Sequence, residues 1–101
     1  MEKDIQRKIL QYLRQVPQCY VIKVIVANHS GVPDILCCIK GDFVAFEVKA
    51  DAGKKATPLQ QHEMGKIWDA LGQAYVVHDL AGVRALIEGA YGITVSLKVK
   101  P

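Results

Sequence analysis

Gly31-Val32-Pro33-Asp34-Ile35-Leu36-Cys37-Cys38-Ile39-Lys40-Gly41-Asp42-Phe43-Val44-Ala45-Phe46-Glu47-Val48-Lys49 reads as a β-hairpin with an acid near its start and an acid and an amine at its end. Residues 34–40 are strand formers after a Gly/Pro break, and residues 43–49 form the second strand. Between them Gly41-Asp42 is a two-residue turn signal with glycine first, as a type II′ turn prefers. With Lys40 and Phe43 flanking that turn, Leu36 lies opposite Glu47 and Asp34 opposite Lys49. Opposed residues of an antiparallel pair share a face, and side chains alternate with period two. Asp34, Glu47 and Lys49 therefore emerge together, the two acids on a diagonal of about 7–8 Å. A one-residue error in the turn would send Asp34 to the other face.

Two carboxylates that close repel, and one pKa rises unless a cation sits between them. Mg²⁺ or Mn²⁺ suits such a site, because hard cations take oxygen ligands and Mg²⁺ keeps waters that a substrate can displace. Lys49 adds a point charge beside the cation, able to stabilise a pentavalent phosphate or orient a water. Two acids, a divalent ion and an amine are enough to cut a phosphodiester.

The chain has 101 residues, the length of a single domain (residues 1–101) with a core of its own. Half of it is hydrophobic, which excludes a disordered chain, and a net charge of +3 suits a nucleic-acid partner without requiring one. Cys19, Cys37 and Cys38 are odd in number, with two adjacent and no C-x-x-C pair, so they read as free thiols in a reducing cytoplasm. The start is charged and helical rather than a signal peptide, and no apolar run is long enough to span a membrane.

Residues 2–16 read as a helix with the stripe Ile5, Ile9, Tyr12, Leu13 and Val16, ended by Pro17; Glu2 lies on that same inward stripe. Residues 19–27 read as a strand and 28–33 as the loop feeding the hairpin. A small, basic stretch, residues 50–56, leads to a second helix capped by Thr57, with Pro58 at its first position, running to Leu71 and stopped by Gly72. Gln60 is a polar group on that helix's inward face. A strand over 74–78, a helix over 80–89 and a strand over 93–99 complete the order αβββαβαβ, an α/β mixed sheet with helices on its faces.

These residues resemble the PD-(D/E)XK nuclease superfamily and, within it, the virus-type replication-repair nuclease (VRR-NUC) domain. The resemblance rests on the helix bearing Glu2, the Gly31-x-Pro33-Asp34 turn, the Glu47-x-Lys49 strand, Gln60 after a Gly/Lys-rich loop, and Gly72 before Tyr75-Val76-Val77. It covers residues 2–80 and implies a restriction-endonuclease-like core of order αβββαβ, followed here by a helix and a strand. It further implies that Asp34, Glu47 and the Val48 backbone carbonyl bind Mg²⁺ or Mn²⁺. On the same ground Lys49 is the catalytic lysine, Glu2 reaches the site through a metal-bound water, and Gln60 positions Lys49 or the attacking water. Stand-alone members, typical of phages and prophages in a bacterial cytoplasm, resemble Holliday-junction resolvases and act as homodimers on branched DNA.

Plainer readings stand beside these. Pro-Asp is a common turn dipeptide, and Glu-x-Lys on a strand is often a solvated face. Thr57-x-x-Gln60 is a capping box, and Glu2 suits the positive end of a helix dipole. Lys54 and Lys55 are either a solvated pair or DNA-phosphate contacts, with Ser30 and Gly31 as further candidate contacts on the opposite loop. His29 is a candidate general base, His62 and His78 read as surface residues, and Met64 and Trp68 as packing. The rivals to a junction-cutting dimer are a monomeric flap- or end-directed nuclease and a non-catalytic DNA- or partner-binding module.

Overall fold

The structure, a computed structural model, describes residues 1–97. It contains α1 (Glu2–Leu13), β1 (Cys19–Lys23), β2 (Ile35–Ile39), β3 (Asp42–Val48), α2 (Pro58–Asp69), β4 (Gln73–Val77) and α3 (Leu80–Tyr91). The sheet has the order β1-β2-β3-β4, antiparallel as far as β3 and parallel between β3 and β4. This is the α/β architecture expected, a mixed sheet covered by helices.

Period-two alternation divides the sheet between two cores. Ile35, Cys37, Ile39, Val44, Phe46 and Val48 face α1 and α3, where they bury against Ile9, Tyr12, Leu13, Val83 and Ile87. On the other face Ala45 and Ala74 pack under Met64 of α2, together with Leu36, Ile67 and Val76. Glu47 lies between Phe46 and Val48 in β3 and so belongs to the α2 face.

The hairpin turns one residue earlier than expected. Ile39 pairs with Asp42, and the turn residues are Lys40 (φ 49°) and Gly41 (φ 88°), the positive-φ pair of a type I′ turn. The expectation that such an error would turn Asp34 to the other face does not hold: the turn length is unchanged, so the register moves by two and every side chain keeps its face. Apolar patterning cannot distinguish the two registers, and contacts at the turn favour the observed one. The Lys40 N–H donates to the Gln18 carbonyl at 2.9 Å, and the Tyr91 hydroxyl donates to Asp42 Oδ2 at 2.7 Å.

Two other expectations are corrected. The first strand stops at Lys23 rather than residue 27, because its partner β2 begins only at Ile35; past the Val24 N–H, which donates to the Asp34 carbonyl, there is no strand to pair with. The last strand does not form over residues 93–97, and the rest of its predicted span lies outside the described residues. That segment packs on the α1/α3 core instead, with Val95 buried and its carbonyl accepting from Arg84 Nη2 at 2.6 Å. Among the described residues no helix is long and apolar enough to cross a membrane.

Candidate metal and phosphodiester site

Extending the observed hairpin register one step past Ile35↔Phe46 puts Asp34 directly opposite Glu47, on the α2 face. One step further, Pro33 stands opposite Val48. An ordinary residue there would donate its N–H to the Val48 carbonyl, but proline has none. The Val48 N–H is taken by the Asp34 side chain, Oδ2 accepting at 2.8 Å. A strand residue's N–H and C=O point to the same side, so the Val48 carbonyl is also directed toward Asp34. The Pro33-Asp34 pair thus does two things: it brings a carboxylate to the end of β2, and it leaves a carbonyl open beside it.

Glu47 is buried, at 4% exposure, on the sheet's most enclosed strand. Its Oε2 accepts from Gln60 Nε2 at 3.1 Å, while Oε1 has no hydrogen-bond partner among the described residues. Burial first, and then the facing Asp34 carboxylate, push its pKa up to about 8; Lys49 opposes this rise and Glu2 adds to it. The Oε1 atom faces negative charge and is stable there only with a proton shared with Asp34 or a cation in its place.

Gln60 forms the capping box and also reaches Glu47. Its Oε1 accepts from the Thr57 N–H at 2.9 Å, and its backbone N–H donates to Thr57 Oγ1 at 3.2 Å, so the capping box is formed. The same bond fixes which end of the amide is oxygen, leaving Nε2 to donate to Glu47. The side chain therefore meets Glu47, not Lys49. Glu2, in the first turn of α1, accepts from the Ala50 N–H at 3.2 Å and lies close enough to raise the Glu47 pKa.

The exit of β3 is pinned from several sides. Asp34 holds the Val48 N–H, the Val77 carbonyl accepts from the Lys49 N–H at 2.9 Å, and Glu2 holds the Ala50 N–H. The Lys49 carbonyl accepts from His78 Nδ1 at 2.8 Å. His78, read from sequence as a surface residue, is half-buried. Its one signal in the sequence is its place directly after an apolar strand.

The remaining candidates lie on the loop before β2, on the loop between β3 and α2, and on α2 itself. Gly31 (φ 88°) sits so close to the first turn of α2 that a Cβ there would be 2.7 Å from the Leu59 carbonyl oxygen. Ser30, Lys54 and Lys55 are exposed, the lysines on the loop joining β3 to α2. His29 Nε2 meets Glu63 Oε1 of α2 at 2.6 Å. His62 and Trp68 are exposed and Met64 is buried.

No ready-made cage of three or more His, Cys, Asp or Glu side chains exists among the described residues. A hard cation needs less, since one or two carboxylates, a carbonyl and waters suffice for Mg²⁺. The unpartnered Glu47 Oε1, the facing Asp34 and the open Val48 carbonyl are an all-oxygen donor set of that kind.

No family model and no curated protein matches the sequence. Solved structures do. One described as a VRR_NUC domain aligns with TM-score 0.77 at 27% identity, over 89% of this chain and 97% of that one. A second, a VRR_NUC domain protein, aligns with TM-score 0.70 at 17% identity, over 87% of this chain and 85% of that one. The second is a likeness of fold alone; the first spans nearly the full length of both chains. These likenesses support a VRR-NUC domain, a domain of the nuclease type.

Proposed function

We propose that residues 1–101 form one Mg²⁺- or Mn²⁺-dependent DNA endonuclease domain, selective for branched DNA and acting as a homodimer on four-way junctions. The buried, unpartnered Oε1 of Glu47 opposite Asp34 is the observation that carries this reading. A folded protein rarely leaves such an atom without a role, and a cation is the partner that best suits two facing acids.

Asp34, Glu47 and the Val48 carbonyl would hold the ion, which would supply an activated water and positive charge beside the phosphate. Lys49 places its ammonium on the same face, where it stabilises the negative charge that builds on the phosphate. Gln60 fixes one oxygen of Glu47 so that the other is presented to the ion. Glu2 closes the site from α1, through a water. Lys54, Lys55, Ser30 and Gly31 flank it on two loops and contact the DNA backbone rather than its bases. A two-fold dimer would present paired sites to the two-fold symmetry of a junction. The resemblance further suggests a phage- or prophage-encoded protein working in a bacterial cytoplasm.

The test is purified protein with Mg²⁺ or Mn²⁺ against end-labelled junction, flap, single-stranded and linear DNAs. Paired, symmetric nicks across the junction, abolished by chelation, are expected from a species of twice the chain mass. Cutting confined to flaps or ends by a monomer would replace the junction reading. No metal-dependent cutting of any substrate would leave a binding module.

A further inference from the structure

We infer that His78 is a positioning residue for Lys49, an assignment that rests on the nuclease reading above. Lys49 is the first residue past the end of β3, so the strand's own ladder does not fix it fully. Continuing the parallel register Glu47↔Val76 and Val48↔Val77 places Lys49 beside His78. The Lys49 N–H finds the Val77 carbonyl, as a parallel ladder requires. The ladder's next donor would be the N–H of Asp79. There the chain turns away, because Asp79 is the N-cap of α3, its side chain accepting from the Gly82 N–H at 2.8 Å.

The His78 ring supplies the donor at this point, its Nδ1 lying 2.8 Å from the Lys49 carbonyl oxygen. To serve a carbonyl, Nδ1 must carry the proton. Both backbone polar groups of Lys49 are then held, and the direction of its Cα–Cβ bond is set. The other groups that pin this exit, Asp34 and Glu2, are acids facing the candidate ion. His78 is neutral or cationic and reaches the chain from the β4 side, so its contribution can be removed without removing an oxygen from the donor set. Reorienting a catalytic amine by as little as an ångström lowers turnover while leaving substrate affinity in place.

The test compares wild type with His78→Asn, His78→Gln and His78→Ala on whichever DNA the wild type cuts, in Mn²⁺. An Asn amide places its NH₂ where Nδ1 stands; a Gln amide reaches instead to the position of Nε2. His78→Gln and His78→Ala should lose roughly 10- to 100-fold in kcat with KM unchanged. His78→Asn should recover most of that loss. The Asn/Gln comparison keeps the test decisive if His78→Ala does not fold. Wild-type kcat in His78→Gln, equal loss in His78→Asn and His78→Gln, or a loss confined to KM would overturn the assignment while leaving the nuclease reading intact. A wild type that cuts nothing would remove the nuclease reading and this assignment with it.

Discussion

Replacing Glu47 with glutamine should stabilise the metal-free protein at pH 8 and change it little at pH 5. The side chain is almost fully buried, and burial together with the Asp34 carboxylate raises its pKa from an ordinary 4.5 to about 8. Between those two values the folded protein keeps a proton that the unfolded chain has released. Stability therefore falls as pH rises through this window and levels off above it. At about 1.36 kcal/mol per pH unit, the whole window corresponds to roughly 5 kcal/mol if the site stays dry and rigid. Relaxation and water entry reduce that to a few kcal/mol. Glutamine escapes the penalty: its oxygen can accept from Gln60 Nε2, and its NH₂ can donate to Asp34. In a domain of this size about 1 kcal/mol moves Tm by about 4–8 °C. Thermal unfolding followed by circular dichroism in EDTA should thus show Glu47→Gln melting some 10 °C or more above wild type at pH 8, a gap that closes toward pH 5. Mn²⁺ should raise the wild-type Tm at pH 8 and leave the variant nearly unmoved. A wild-type Tm flat from pH 5 to pH 8, or a variant less stable than wild type at pH 8, would refute the reasoning.

Gln60→Ala removes both a cap and the hold on Glu47, so Tm should fall by the equivalent of about 1 kcal/mol and Mn²⁺ affinity by about tenfold, read by melting and calorimetry. Gly31→Ala meets a left-handed φ and the Leu59 carbonyl at once. It should cost about 2 kcal/mol or more in urea unfolding, roughly 1–2 kcal/mol from backbone strain and the rest from the clash. Lys49→Ala should abolish DNA cutting while leaving Tm and junction binding in Ca²⁺ close to wild type; cutting at the wild-type rate would remove Lys49 from the chemistry.

The parts of the site that depend on period-two alternation were legible in the sequence. Asp34, Glu47 and Lys49 share a face in either hairpin register, so misplacing the turn by one residue did not separate them. The parts that depend on tertiary pairing were not. Residues 24–27 have the composition of a strand, but a strand needs a partner, and β2 starts too late to supply one. Residues 93–97 alternate like a strand and instead follow the groove of the α1/α3 core, tied by Arg84. Gln60 could be read as a cap or as a site residue, and only its geometry reveals that one amide both caps α2 and bonds Glu47. His78 escaped because its partner is the residue that the parallel register places beside it, 29 positions earlier in the chain. Pro33 shows the converse: a turn signal in sequence, it acts in the fold as a missing donor that keeps the Val48 carbonyl open.

Calorimetric titration of Mn²⁺ into the metal-free protein at pH 7, in buffers of different ionisation enthalpy, tests the shared-cation site most directly. Binding should release a proton, because Glu47 gives up the one it holds, and both binding and release should vanish in Asp34→Asn and in Glu47→Gln. Undiminished Mn²⁺ binding in either variant would place the ion elsewhere and contradict the account.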